Sequence, residues 1–156
     1  MTPSRKIEVL VPVVQLRERR LDRARHEAAV AREAVLEADT ELTRCDAVLT
    51  YLSKEIARVD TWFAERLDGA AMQSGLARRE ALVAARAAAF QERDAAEDAL
   101  EAARLALSEA VAVVQRAEGR RDAMRDQLSG ARARRRVERE EREQLDLEDL
   151  TRRPAW

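Results

Sequence analysis

The stretch IEVLVPVVQLRERRLDRARHEAAVAREAVLEADTELTRCDAVLTYLSKEIARVDTWF, Ile7 to Phe63, decides the fold. An apolar or small residue recurs every three and then four positions: Ile7, Leu10, Val14, Leu21, Ala24, Ala28, Ala31, Val35, Ala38, Leu42, Cys45, Leu49, Leu52, Ile56, Val59, Phe63. Arg17 alone interrupts it. The mean spacing of about 3.5 residues falls just short of the roughly 3.6 of a free helix, so the stripe stays on one face only if the helix winds around a partner. Roughly eight such heptads are well beyond what a surface helix needs.

Outward from that stretch, the composition agrees. Of 156 residues, 46% are hydrophobic, 3% aromatic and 38% charged. Alanine, leucine, glutamate and arginine dominate, as in long helices that bury a seam rather than a globular core. A formal net charge of -1 argues against a general polyanion binder. Cys45 is the single cysteine; it lies on the apolar stripe and reads as a small buried hydrophobe, with no disulfide framework or zinc set. No apolar run reaches the ~18 residues of a membrane span, and Val9–Val14 is too short for a signal-peptide core. The expectation is a cytoplasmic protein.

Thr2-Pro3 reads as a helix start, a capping hydroxyl followed by proline at the first helical position. Pro12 either kinks the helix or starts it; the stripe through Ile7 and Leu10 favours a kinked helix. No glycine or proline follows until Asp68-Gly69-Ala70-Ala71-Met72-Gln73-Ser74-Gly75, which reads as a helix end and connecting loop. From Leu76 a second stripe is irregular through Val83 and Phe90. After a phase shift it settles into Leu100, Ala103, Leu107, Ala110, Val114, Ala117, Arg121, Met124, Leu128 and Ala131. The fold class is therefore all-α, a long antiparallel two-helix coiled-coil hairpin forming a single domain. Helix 1 spans about 3–68, the turn 69–75, helix 2 about 76–150 and a short tail 151–156. With the turn near Met72, facing positions sum to roughly 144, which sets Ile7 near Val137 and Leu42 near Ala103. Helix 2 overhangs helix 1 beyond Val137, as an Arg/Glu-rich helix held by i,i+4 pairs. Leu145, Leu147 and Leu150 then have no internal partner.

Charge is uneven. Arg17, Arg19, Arg20, Arg23 and Arg25 lie opposite Arg120, Arg121 and Arg125 at the open end, while the middle is acid-rich, with Glu33, Glu37, Asp39 and Glu41 on one helix and Asp94, Glu97, Asp98 and Glu101 on the other. The open end is expected to be the looser one, because charges on a seam must snorkel.

Catalytic constellations are lacking, so the chain reads as a non-enzyme with no cofactor or metal. His26 is the one histidine and lies off both stripes, and the four glycines form no phosphate loop. The run Arg132, Arg134, Arg135, Arg136 is followed at once by Glu138, Glu140, Glu141 and Glu143, with no interleaved aromatic, which argues for a solvated face over nucleic-acid binding. A membrane-surface role for Val9–Leu16 is less favoured than burial against a protein. Leucines grouped at one end (Leu145, Leu147, Leu150) mark either an interface or a frayed tail. Trp62, off the stripe beside Phe63, and Met72 are the candidate contacts at the tip; Trp62 either caps the hairpin or anchors a partner.

The architecture resembles the small stalk proteins of type III secretion, the YscO/FliJ family, which are similar in fold to the coiled-coil part of the rotary ATPase gamma subunit. The resemblance covers the whole chain. It rests on Ile7-Glu8-Val9-Leu10 followed by Leu16-Arg17-Glu18-Arg19-Arg20-Leu21, on the turn Gly69 to Gly75, and on Glu143-Gln144-Leu145-Asp146-Leu147-Glu148-Asp149-Leu150. It implies a non-enzymatic rod at the base of a bacterial secretion apparatus. One end would enter the pore of the hexameric secretion ATPase and promote its assembly and activity. The rod would couple that ATPase to the export gate, handle secretion chaperones, and meet the membrane only through partners. The residues assigned to the ATPase are Arg17, Arg19, Arg20, Arg23, Arg120, Arg121, Arg125, Leu145, Leu147 and Leu150. The alternatives are a generic cytoplasmic coiled-coil tether or scaffold and, less favoured, a membrane or nucleic-acid adaptor.

Overall fold

The computed structural model describes residues 2–65 and 69–152. They form two α-helices, α1 (Pro3–Glu65) and α2 (Gly69–Arg152), packed as an all-α hairpin. Thr2 caps α1: its hydroxyl accepts from the Arg5 N–H at 3.5 Å and its carbonyl from the Lys6 N–H at 3.0 Å. Proline is tolerated at Pro3 because the first turn has no acceptor for its missing N–H. Pro12 lies inside α1, which begins nine residues earlier, so it does not start the helix.

The α1 stripe is the seam. Leu10, Val14, Leu21, Ala24, Ala28, Cys45, Leu49, Ile56 and Val59 are buried, and every other member from Ile7 to Phe63 is half-buried. On α2 the positions from Leu100 to Ala131 are likewise buried or half-buried. The early part of that stripe needs correction. Phe90 and Leu76 are about half exposed, and the seam instead runs through Leu82, Arg86, Ala89, Arg93, Ala96 and Leu100. This is the same four-three spacing carried on without a phase shift.

The turn is also displaced. Residues 69–75 are the first two turns of α2, and the expected end of helix 1 at 68 lies outside the described residues. Ala70-Ala71-Met72-Gln73 is a run of strong helix formers, and no described glycine has positive φ. Gly75 serves packing: a Cβ there would lie 2.6 Å from the Trp62 ring and 2.9 Å from that of Phe63. At the other end α2 continues to Arg152, two residues into the expected tail.

The chain divides into two compact units. The first joins residues 1–28 to 110–156. Its core is Leu10, Val14, Leu128 and Ala131, with Ile7, Val11 and Met124 against it. Facing residues such as Glu18–Arg125 and Arg25–Glu118 sum to 143, close to expectation. Arg17 and Arg121 do not open this seam, since Leu21 beside them is 1% exposed. The second unit is residues 29–109. There the cross-helix pairs Arg44–Glu92, Arg78–Glu55, Arg79–Asp60 and Arg93–Asp46 sum to between 133 and 139. In this unit Leu42 therefore faces the neighbourhood of Ala96 rather than Ala103.

Candidate functional site: an unpaired basic flank in the first unit

A two-helix seam has two flanks. Residues that follow the Arg17/Ala24 seam positions lie on one, and residues that precede Leu21 or Val14 lie on the other. The first flank is zipped by ion pairs: Glu18 with Arg125 at 2.5 Å and Arg25 with Glu118 at 3.0 Å. The second holds Arg17, Arg20, Arg116 and Arg120, which line one cleft with Ala24, Ala117 and Val113. None of these four arginines makes an ion pair or side-chain hydrogen bond among the described residues. Arg17 is half-buried on the seam itself. Concentrated, uncompensated positive charge of this kind suits an anionic surface or ligand.

Of the expected contact residues, the structure brings Arg17, Arg20 and Arg120 together. Arg23 follows Arg20 by three positions, and Arg19 is exposed elsewhere on α1. Arg125 is occupied by Glu18, and Arg121 turns to Asp122 at 2.8 Å with its side chain only 18% exposed. Leu145, Leu147 and Leu150 stand 61–64% exposed on the last turns of α2, far along the helix from the cleft. Arg116 belongs to the cleft and was not singled out from the sequence. Its signal was available, since it precedes the seam residue Ala117 on the flank of Arg120.

In the second unit, Trp62 and Met72 are half-buried. The Trp62 ring packs edge-on against Phe63, centroids 5.3 Å apart, and over Gly75. Beside it lies an unforeseen site: Glu55, 7% exposed, accepts from Arg58 on one carboxylate oxygen and from Arg78 at 3.2 Å on the other. Exposed ion pairs tune further groups, Glu41, Arg79 and Arg93 among them. Hydrogen bonding to Arg44 holds the Glu41 carboxyl below its ordinary value, and hydrogen bonds to Asp60 and Asp46 raise Arg79 and Arg93. All three shifts favour the charges these groups carry anyway, so none creates a proton donor or acceptor for chemistry near neutral pH.

Among the described residues no three His, Cys, Asp or Glu side chains are grouped to hold a metal ion, and no helix is long and apolar enough to cross a membrane. His26 is exposed on α1 and Cys45 is buried in the seam. Comparison with protein families, with curated proteins and with solved structures finds no match to this chain.

Proposed function

We propose that this chain is a non-enzymatic stalk of a bacterial type III secretion system, resembling the YscO/FliJ family. It would bind the hexameric secretion ATPase and promote its assembly and activity, and couple it to the export gate and secretion chaperones at the cytoplasmic base of the apparatus. One observation carries the reading: a two-helix hairpin whose first unit, with both helix termini, bears unpaired arginines along one flank and leaves α2 beyond α1. An acidic ring around a pore would be met by such a flank, where charge complementarity aids encounter and register. The experiment is ATP hydrolysis by a type III secretion ATPase with and without this protein, with the hexamer fraction followed by light scattering. Stimulation with more hexamer is expected. Charge reversal at Arg19 and Arg20, or truncation before Leu145, should abolish binding while helicity is kept. No stimulation and no complex would reject the stalk.

A second reading, a coiled-coil tether with unrelated partners, draws on the second unit. Leu36, Tyr51, Phe90 and Leu105 are 50–66% exposed there, a supply of apolar surface for lateral helices. A stable complex with another coiled coil, and no effect on any ATPase, would favour it.

A further inference from the structure

One flank of α2 changes sign along its length. Taken once per heptad, it reads Val113, Arg120, Gln127, Arg134, Glu141, Glu148. Arg134, Glu141 and Glu148 are without an ion pair among the described residues, although neighbouring Arg136–Glu140 and Arg139–Glu143 are paired. The same flank of α1 carries Val9, Val13, Leu16, Arg17 and Arg20, with Val9 51% and Leu16 46% exposed. Thus one half of the flank is basic and apolar, and the other is acidic with the exposed Leu145 one turn before Glu148.

Arg134 and Glu141 cannot pair with each other within one molecule. α2 is unbroken from Gly69 to Arg152, and Arg134 and Glu141 stand about 10 Å apart along it, beyond ion-pair reach. Two copies related by a two-fold axis can. A flank that runs from basic to acidic becomes self-complementary when laid antiparallel on itself, and a two-fold closes the pairing at two chains. We infer that a second copy of this chain docks on this flank. Arg134 of each copy meets Glu141 of the other. At that register Leu145 of one copy lies over Val13 of the other, and Glu148 reaches Arg17 and Arg20. The apolar and ionic halves thus meet their complements together.

This inference does not depend on the stalk reading, although it would occupy Arg17 and Arg20, and its test uses the protein alone. Sedimentation velocity across micromolar concentrations is expected to show twice the 17.6 kDa chain mass at low salt and dissociation at high salt. Arg134→Glu and Glu141→Arg should each raise the dissociation constant by about tenfold or more. Circular dichroism should be unchanged, because both residues lie off the seam. The double variant R134E/E141R should restore the dimer. A monomer at every concentration, a dimer indifferent to both reversals, or a loss the double variant does not repair would each overturn the pairing.

Discussion

A single methyl group should separate two of the glycines. At Gly119 nothing lies within 4 Å of an added Cβ, so Gly119→Ala should stabilise the helix by up to about 1 kcal/mol. At Gly75 the same methyl would sit 2.6 Å from the Trp62 ring. The gain in helix propensity is then outweighed by roughly 1–3 kcal/mol of overpacking, and Gly75→Ala should be net destabilising. Thermal melts of the two variants should move in opposite directions. Glu55 makes a second residue-scale case. Glu55→Ala removes the acceptor shared by Arg58 and Arg78, whose guanidiniums stay in water, and should cost only about 1 kcal/mol or less in denaturant unfolding. Sequence reading did not reach either role. Gly75 looked like a turn glycine because nothing local says that an aromatic thirteen positions upstream will pack on it. Glu55 looked like any charge beside a seam, since its burial needs α2 across from it.

At the scale of the helix, Pro12 is exposed inside α1 and forfeits a backbone bond to the Glu8 carbonyl. No packing is lost on removing its ring, so Pro12→Ala should raise stability by about 1–3 kcal/mol, read from the melting temperature. Within α1, the Arg44 hydrogen bond lowers the Glu41 pKa from its ordinary 4.5. A carboxyl depressed on folding contributes stability above its unfolded value. That contribution is lost as pH falls below 4.5 through the lowered value. A carboxyl NMR titration should find Glu41 titrating low, and Arg44→Gln should return it to the ordinary range. Helix existence was legible in both halves of the chain, because sustained three-four spacing has no other solution. The first part of the α2 seam was not. A reading weighted by side-chain size picks Leu76 and Phe90, whereas the observed seam takes the buried Ala89 and Ala96 and continues the four-three spacing of the rest of α2.

At the scale of the molecule, α2 beyond Arg142 has no part of α1 against it, and every residue from Glu143 to Arg152 is exposed. Truncation after Arg142 should leave the unfolding free energy of the isolated chain at low concentration within about 0.5 kcal/mol of its full-length value. The helical signal should fall only by the residues removed. A large drop in melting temperature would mean that this segment supports the hairpin itself.

What the amino-acid sequence determined by itself was the all-α hairpin, the α1 seam to the residue, the Thr2-Pro3 start and the basic character of the first unit. These are local or periodic properties, written in spacing and in residue type. What only the tertiary structure decided was the register, the helical state of 69–75, the packing of Trp62 on Gly75, and which arginines stay unpaired. Arg125 and Arg20 are alike in sequence. Arg125 is neutralised because Glu18 faces it from the other helix at 2.5 Å, while Arg20 faces other arginines. That difference arises from which flank of the seam each occupies, and so from how one helix lies against the other.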